Sequence, residues 1–499
     1  MSVKLSAEAH REEKFIKMTT QPVEGLILKL AIPTILSMLV TTFYNMADTY
    51  FVGKIGLQLG AAEQAIAQTR ATAAVGIALP LMAIIQAFGF FFGHGSGNCV
   101  SRLLGKKDVQ SAQRVASSGF FYAIITGLII LILGQVFAYP MAQVFGATKD
   151  GSAGYAVQYM RIILCGAPIT MASLVLNNQM RFQGNAAYAM LGIMSGAVLN
   201  IGLDALFILV LGMEVFGAAL ATVIGQIVSL ALLFIGTERS DCLKIRPRCV
   251  CFDKATVRDI VKGGLPSLGR QGLASISTAC LNNMAGMYGA LEFSAVAGVG
   301  MSDALAETIA ADSAVAAMSV VSKIMMFASS TLIGFGQGFQ PVCGFNYGAG
   351  LYDRVKKAFW FCAKVSFFFL LAVAVLAFIF AGDIMALFRA NDKIALDIGT
   401  TAMRMQIVTF PLMSWVVMSN MMLQTVGRVV SATVLAVSRQ GLMFIPVVLT
   451  LPLVIGLTGV QMSQLIADLL SFAVAVPITL RFLKELNDSA TENMKKKTD

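Results

Sequence analysis

Long apolar segments recur along the whole chain, and they constrain its fold more than any other feature. Windows of 18 residues, bounded by charged clusters, Gly or Pro, identify twelve such segments. They lie at residues 26–52, 71–96, 115–139, 155–180, 186–211, 215–237, 259–290, 314–343, 358–382, 398–425, 429–456 and 459–482. A helix that crosses a bilayer needs about 20 apolar residues. The sequence therefore predicts an all-α polytopic membrane protein with twelve transmembrane helices, called spans 1 to 12 below.

Composition excludes a soluble protein. Of the 499 residues, 57% are hydrophobic and 13% are charged, whereas soluble domains average about a quarter charged. Too little polar side chain is present to cover a surface in water, so a soluble enzyme is excluded. In a soluble chain, the net charge of +10 would suggest a nucleic-acid partner. Here the basic residues are distributed according to the membrane, so no nucleic-acid partner is expected.

Basic residues fall mainly on one side of the predicted spans. The segment before span 1, the connections after even-numbered spans and the C-terminal tail contain most of the 37 Lys and Arg residues. The other side holds Lys54, Arg70, Lys149, Arg389 and Lys393. Because basic loops remain in the cytoplasm, we expect a multi-pass protein of the cell membrane with both termini cytoplasmic.

The two halves of the chain are related by an internal repeat. Pro168 matches Pro411 and Gly184 matches Gly427 at one offset of 243 residues. Six spans per copy give two parallel repeats, an arrangement that favours a transporter, although channels and membrane enzymes also contain duplicated bundles. The predicted organisation is an N-terminal segment (1–25), a first six-helix bundle (26–237), a basic linker (238–258), a second bundle (259–483) and a tail (484–499).

Two acids lie inside predicted spans of the first half. Asp48 in span 1 shares a helix face with the polar residues Tyr44 and Asn45. Asp204 in span 5 follows Asn200 by one turn. An acid inside a membrane costs about 2.5 to 3.5 kcal/mol, so it usually faces a cavity and has a function.

Further polar residues of the first half support a site at one level. Thr222 in span 6 is predicted at the same depth as the two acids, roughly 6 to 10 Å inside the outer end of the spans. Asn177 and Asn178 in span 4 add amide groups. These residues predict a site for H⁺ or Na⁺ in the first bundle. The alternative is that they are hydrogen-bonded contacts between helices.

The second half differs, because its interior charges are mostly basic. They include Arg270 and Arg439, with Gln271 and Gln337 as further polar candidates, and Asp468 is the clearly intramembrane acid. Two interpretations of Asp468 remain open: a structural pairing with one of the arginines, or a functional role. No catalytic residue, metal site or cofactor is predicted.

Two motifs resemble those of the multidrug and toxic compound extrusion (MATE) family. The first runs from Tyr44 to Gly53 after Pro33, and the second runs from Gly336 through Pro341 to Gly350. The likeness covers nearly the whole chain and looks closest to the MepA-like branch. It implies a V-shaped pair of six-helix bundles that exports organic cations or amphipathic drugs in exchange for H⁺ or Na⁺. The protein is then a transporter and not an enzyme. We expect it to be a monomer surrounded by membrane lipids.

The resemblance also implies roles for single residues. The positions that bind the coupling cation match Asp48, Asn200, Asp204 and Thr222, with Ala218 supplying a backbone group, and Pro33 matches a position where span 1 bends. No second-bundle Na⁺ site is implied, because span 7 has an acid only at its cytoplasmic start and span 10 has none. Two other functions are considered: a flippase for lipid-linked precursors, and a membrane-embedded enzyme that uses the paired Asp residues.

Overall fold

Helices form most of the protein. The computed structural model describes residues 2–52, 55, 61–145, 153–239, 243–297, 303–389 and 392–498, and it contains no β-strand in these ranges. A helix satisfies its own backbone hydrogen bonds, which makes it the stable form of an apolar segment in lipid. The prediction of an all-α membrane fold is confirmed.

Predicted spans 1 to 6 correspond to six helices of the first half, α2 to α7. The helices of this half are α1 (Ser2–Thr20), α2 (Val23–Val52), α3 (Ala61–Gly105), α4 (Val109–Val144), α5 (Ala153–Phe182), α6 (Ala186–Asp204) and α7 (Glu214–Arg239). A π-helical turn, Ala205–Val210, continues α6. The additional helix α1 forms from the polar N-terminal segment.

Spans of the second half are interrupted more often. The helices are α8 (Lys254–Ala297), α9 (Asp303–Gly348), α10 (Tyr352–Ile379), α11 (Ala381–Arg389), α12 (Lys393–Ile407), α13 (Met413–Val426), α14 (Val429–Val437), α15 (Phe444–Thr450) and α16 (Pro452–Thr498). A π-helical turn, Ser438–Leu442, joins α14 to α15. Helix α16 is kinked at Ile455 and Gly456, which have non-helical dihedral angles.

The number of spans depends on how two regions are counted. Ten helices in the described ranges are long and apolar enough to cross a membrane, and the pair α12 and α13, bent by 43°, makes eleven if it is one span. Predicted span 7 lies in α8, which has 44 residues but is not among these helices. Counting α8 gives the twelve spans that the sequence predicts.

The internal repeat is visible in matching hydrogen bonds. Asn177 Nδ2 in α5 donates to the carbonyl oxygen of Ala189 at 2.8 Å. At the same offset of 243 residues, Asn420 Nδ2 in α13 donates to the carbonyl oxygen of Ala432 at 2.6 Å. Both bonds tie a span to the helix that follows it.

The turns beside these bonds also match. Gly184 between α5 and α6 has φ = 81°, and Gly427 between α13 and α14 has φ = 89°. A residue with a Cβ is strained in this left-handed region, which explains why both copies have glycine here. The duplication therefore extends from sequence to local geometry.

The chain forms two compact units, which are described separately. Unit 1 comprises Met1–Leu268, Gln337–Leu351 and Thr425–Gly427. Unit 2 comprises Gly269–Gly336, Tyr352–Gln424 and Arg428–Asp499. The first part of α8 and the end of α9 thus pack within unit 1, so the units are not the same residue sets as the predicted domains.

Candidate functional site

A cluster of polar groups lies inside unit 1 where α6 and α7 pack together. Asp204 ends α6 and is fully buried. One turn earlier, Asn200 Nδ2 donates to Thr222 Oγ1 of α7 over 3.4 Å. The Thr222 hydroxyl in turn donates to the carbonyl oxygen of Ala218 at 3.1 Å. Asn200, Asp204 and Thr222, which the sequence predicted in one site, and Ala218, which the resemblance implied, are neighbours in the structure.

Helix α2 brings the second carboxyl group to this cluster. Asp48 is half-buried, and its carboxyl group interacts electrostatically with that of Asp204. Both carboxyl groups also interact electrostatically with the hydroxyl group of Tyr44, which lies one turn before Asp48 on α2. The predicted substrate residue Asn45 also lies on α2, but its side chain is outside the part of the chain that the structure describes. Spans 1, 5 and 6 therefore contribute to one site.

Several oxygen atoms of the cluster are buried without a hydrogen-bond partner among the described residues. They are Asp48 Oδ1, Asn200 Oδ1, both carboxylate oxygens of Asp204 and the hydroxyl of Tyr159. Leaving buried polar atoms unpaired is costly, on the order of 1 to 3 kcal/mol per group. Carboxylate, amide and carbonyl oxygens are the ligands that hard cations prefer. The arrangement is suited to a proton or a small hard cation.

Tyr159 of α5 is a member of the cluster that the sequence did not identify. Its side chain is fully buried, and it interacts electrostatically with Asp48, Tyr44 and Asp204. It lies near the outer end of predicted span 4, where tyrosines are common in any membrane protein. The sequence therefore contains no signal that separates it from an interfacial tyrosine.

A small cavity with an accessible volume of about 30 Å³ adjoins the cluster within unit 1. It shares Tyr44 and Thr222 with the cluster, and polar groups from Gln86, Thr170 and Gln226 face it among apolar side chains. Its lining of a few polar groups among apolar side chains is typical of ligand sites, but its volume is about a tenth of the roughly 300 Å³ at which drug-sized sites begin. Among the predicted substrate residues, Tyr44 lines this cavity.

The other predicted substrate residues of span 4 have packing contacts. Asn177 holds α5 to the start of α6 through Ala189. The amide oxygen of Asn178 accepts a hydrogen bond from the guanidinium group of Arg181. Asn177, Asn178 and Arg181 are all buried, and none of them lines the described cavity. Arg181, predicted to lie in a cytoplasmic connection, is thus an interior residue.

Local helix geometry marks the position of Asp204. The π-helical turn Ala205–Val210 starts directly after it. Such turns are rare and occur frequently at functional sites, because the extra residue reorients side chains. The hydrophobic pattern of span 5 does not predict this change.

Unit 2 contains its own buried acid, but that acid is fully paired. Arg439 Nε lies 3.0 Å from Asp468 Oδ1, and Gln464 Nε2 donates to the same oxygen at 2.7 Å. Thr409 Oγ1 donates to Asp468 Oδ2 over 3.4 Å. Asp468 has no exposed surface. The structure therefore resolves the open question of its partner in favour of Arg439, which lies in the second π-helical turn.

The remaining second-half candidates do not join this group. Gln337 is buried in unit 1 with its amide oxygen unpartnered among the described residues. Arg270 and Gln271 lie in unit 2 on α8 and are half-buried. None of the three contacts Asp468 through a hydrogen bond in the described ranges.

Comparison with a family model identifies the relationship of the chain. The model described as MatE matches residues 33–206 and 289–450, which is more than half of the chain. The match includes the helices that carry Asp48, Asp204, Arg439 and most of the two repeats.

Individual proteins are similar over nearly the whole chain. "Multidrug export protein MepA" of Staphylococcus aureus (strain MRSA252) is 25% identical over 97% of this chain and 99% of its own length. The protein of the same name from Staphylococcus haemolyticus (strain JCSC1435) is 25% identical over 92% of this chain and 93% of its own length.

Solved structures share the fold. A crystal structure of MATE in the bent conformation has a TM-score of 0.83 at 25% identity, covering 96% of this chain and 99% of the other. MATE in the straight conformation gives 0.82 at 26% identity, with 95% and 99% covered. An outward-facing multidrug resistance MATE family transporter of the MOP superfamily gives 0.82 at 25% identity, with 95% and 98% covered.

Proposed function

Because the chain belongs to the MatE family of membrane transporters, we propose that it exports organic cations or amphipathic drugs in exchange for H⁺. Asp48 and Asp204 hold the coupling proton in this proposal, and Asn200, Thr222 and the Ala218 carbonyl complete the site. The termini face the cytoplasm, as the basic connections predict.

The observation that carries the proposal is the set of unpartnered oxygens in unit 1. Both oxygens of Asp204 and Oδ1 of Asp48 are buried without a hydrogen-bond donor among the described residues. Two neighbouring carboxylates repel each other in a medium of low dielectric constant. A bound cation relieves this repulsion, and a proton does so without needing space. Na⁺ uses the same oxygens and is the second candidate.

The cavity beside the acids gives a physical basis for exchange. Tyr44 and Thr222 belong to both the cavity and the acid cluster. A cationic drug bound next to this small cavity is attracted by ionised Asp48 and Asp204 and loses that attraction when they are protonated. Protons from outside thus release the drug, and loss of the protons to the cytoplasm restores binding.

Helix α2 is suited to connect protonation to a conformational change. Pro33 lies inside α2 and lacks an N–H, so one backbone hydrogen bond of the helix is missing there. Side-chain hydroxyls after Pro33 also donate to carbonyl oxygens one turn earlier: Thr34 to Leu30 at 2.8 Å and Ser37 to Pro33 at 3.0 Å. Such bonds favour bending. We therefore place the hinge of α2 at Pro33, four turns before Asp48.

The number of protons decides which gradient drives export. A swap of one proton for one monovalent cation moves no net charge and depends on the pH gradient alone. Two protons per monovalent cation, one on each acid, move one net charge, and 100 mV of membrane potential then contributes about 2.3 kcal/mol. The pair of carboxyl groups makes both ratios possible.

The test is proton flux in everted membrane vesicles that contain the full-length protein. A cationic drug added outside should release protons from energised vesicles with wild-type protein. Asp48→Asn and Asp204→Asn should abolish this release at equal expression. Asp383→Asn, which removes an exposed carboxylate from α11, is the matched control and should leave it unchanged.

Two further arms separate the alternatives. Exchange driven by a Na⁺ gradient without a pH gradient would assign Na⁺ as the coupling ion. Normal drug–proton exchange by both Asp variants would overturn the site assignment. Binding of a lipid-linked sugar in place of organic cations would favour a flippase.

A further inference from the structure

The segment between the two repeats runs along the surface of α4. Leu243 and Ile245 are buried, while Lys244 between them is half-exposed. Gln113 Nε2 of α4 donates to the carbonyl oxygen of Lys244 at 3.0 Å. The Arg246 backbone N–H donates to Ser117 Oγ at 3.2 Å. The linker is therefore fixed against unit 1.

Its second part is held at the predicted edge of the membrane. The Cys251 N–H donates to Ser118 Oγ at 3.0 Å, and the Tyr122 hydroxyl donates to the Cys251 carbonyl oxygen. Predicted span 3 begins at residue 115, so Ser118 lies about 5 Å inside that boundary at 1.5 Å per residue. This is the depth of the lipid headgroups and the first part of the acyl chains.

An exposed aromatic ring projects from the linker at this level. Phe252 is 70% exposed, and its ring lies 5.3 Å from that of Tyr122 at an angle of 37°. A phenylalanine this exposed is unfavourable in water. At a lipid interface the same ring is buried, as in segments that lie on a membrane surface.

Basic side chains flank this ring. Arg248 and Lys254 are both exposed and form no ion pair within the described residues. Residues 243–258 contain five basic residues and one acid. The surface is therefore strongly positive beside an apolar group, and we call residues 243–258 the basic linker surface.

The one acid of this surface is already engaged. Asp253 Oδ2 accepts a hydrogen bond from the Thr256 N–H at 2.9 Å at the start of α8. That bond, with the nearby charge of Arg114, lowers the pKa of Asp253. Arg246 is paired with Glu238 at 3.0 Å. Arg258 lies 3.9 Å from Asp259, and Lys244 is only half-exposed. Arg248 and Lys254 are thus the exposed cations left for an outside partner.

We propose that the basic linker surface binds the headgroups of anionic phospholipids in the predicted cytoplasmic leaflet. Arg248 and Lys254 contact the phosphate, while Phe252 enters the acyl region beside it. The depth of the segment and the exposed ring favour lipid over an acidic protein partner. The lipid would hold the linker between the repeats at the membrane surface, and this proposal does not depend on what the protein transports.

The test measures lipid retained by the purified full-length protein in detergent, using native mass spectrometry. Phosphatidylglycerol and phosphatidylcholine with the same acyl chains compete for the protein. Wild type should retain phosphatidylglycerol preferentially. Arg248→Gln/Lys254→Gln should reduce this preference by about fivefold for each cation removed, since each basic group near an anionic surface contributes about that factor. Phe252→Ser should reduce retention of both lipids.

Arg389→Gln/Lys393→Gln is the matched control, because it removes two cations on the predicted opposite side, of which Lys393 is exposed. Its preference should stay within about twofold of wild type. If this control loses as much of the preference for phosphatidylglycerol, the effect comes from total charge and the proposal is overturned. A wild type without preference for phosphatidylglycerol would also overturn it. Displacement of the lipid by inorganic phosphate would assign a soluble phosphate site instead.

Discussion

The two units place their buried charges at positions that do not correspond. In the register of 243 residues, Arg439 and Asp468 of unit 2 match Gly196 and Gly225 of unit 1. Those glycines let α6 and α7 touch through their backbones: a Cβ on Gly225 would lie 2.8 Å from the Gly196 carbonyl oxygen. One repeat thus has a close helix contact where the other has an ion pair.

Conversely, the polar residues of the unit 1 cluster match apolar residues in the second repeat. Asp204 corresponds to Val447 and Thr222 corresponds to Leu465 in the second repeat. Unit 2 neutralises its buried Asp468 with a cation from its own chain, Arg439, whereas Asp48 and Asp204 of unit 1 have no basic partner in the described residues. The first repeat thus contains buried acids without a cation of this chain, and the second contains an internal ion pair.

The largest expected effect comes from removing the internal cation of unit 2. Arg439→Gln leaves Asp468 buried with only Gln464 and Thr409 as donors. Breaking one side of a buried ion pair costs about 3 kcal/mol or more. We expect a lower midpoint of thermal unfolding for the purified protein.

Two controls keep this comparison sharp. Arg439→Met/Asp468→Leu removes both charges and should recover most of the lost stability. Asp204→Asn in unit 1 should not lower the unfolding midpoint, because the wild-type carboxylate has no donor to lose. A drop for Asp204→Asn as large as for Arg439→Gln would contradict the distinction between the units.

The next effect concerns the glycine contact of unit 1. Gly225→Ala places a methyl group 2.8 Å from the Gly196 oxygen and 3.2 Å from Asn200 Cβ, so α6 and α7 must separate. Overpacking of this kind costs about 1 to 3 kcal/mol, and the 3.4 Å contact of Asn200 with Thr222 should be lost. Unfolding midpoint and drug-induced proton release should both fall.

Gly202→Ala is the matched control in α6. No heavy atom lies within 4 Å of the added Cβ, and alanine favours a helix over glycine by about 1 kcal/mol. Its stability should be unchanged or higher. If Gly202→Ala and Gly225→Ala behave alike, helix propensity and not the close contact decides the outcome.

A smaller and equal effect is expected where the two repeats agree. Asn177→Ala and Asn420→Ala each remove one buried hydrogen bond, to Ala189 and Ala432. Each should cost about 1 kcal/mol in the same unfolding assay. A difference between them well beyond that value would mean that the matching geometry does not reflect matching energetics.

The smallest effect is expected from removing a pH-dependent helix cap in the first repeat. Asp108 accepts the Ser111 N–H at 3.0 Å, and this bond lowers the pKa of Asp108. The repeat has Leu351 at the matching position. Asp108→Ala should lower stability at neutral pH by at most about 1 kcal/mol. Because the folded-state pKa is lowered, this contribution is present above the ordinary Asp pKa and disappears as the pH falls through the folded value.

The sequence predicted the helices and the acids of unit 1 for a physical reason. A carboxylate inside a long apolar run is expensive, so Asp48 and Asp204 are conspicuous without any structure. Their common depth followed from helix rise and span direction. The repeat was equally accessible, because Pro168 and Pro411 are uncommon residues at a fixed spacing.

Other features depend on tertiary packing and were not predictable. Tyr159 and Gln86 reach the site because of how α5 and α3 are rotated, and an apolar helix has no polar face that reveals this rotation. The pairing of Arg439 with Asp468 needed the π-helical turn Ser438–Leu442, which hydrophobic windows do not report. Likewise, the sequence did not separate Asn177 as a packing residue from Asn177 as a substrate contact.

The central claim is that the acids of unit 1, and not the ion pair of unit 2, hold the exchanged protons. It is tested by measuring protons released from purified protein in weakly buffered detergent solution when a cationic drug binds. Wild type and Arg439→Met/Asp468→Leu should release protons equally, and Asp48→Asn/Asp204→Asn should release none. Normal release from the Asp48/Asp204 variant, with loss of release from the Arg439/Asp468 variant, would contradict the account.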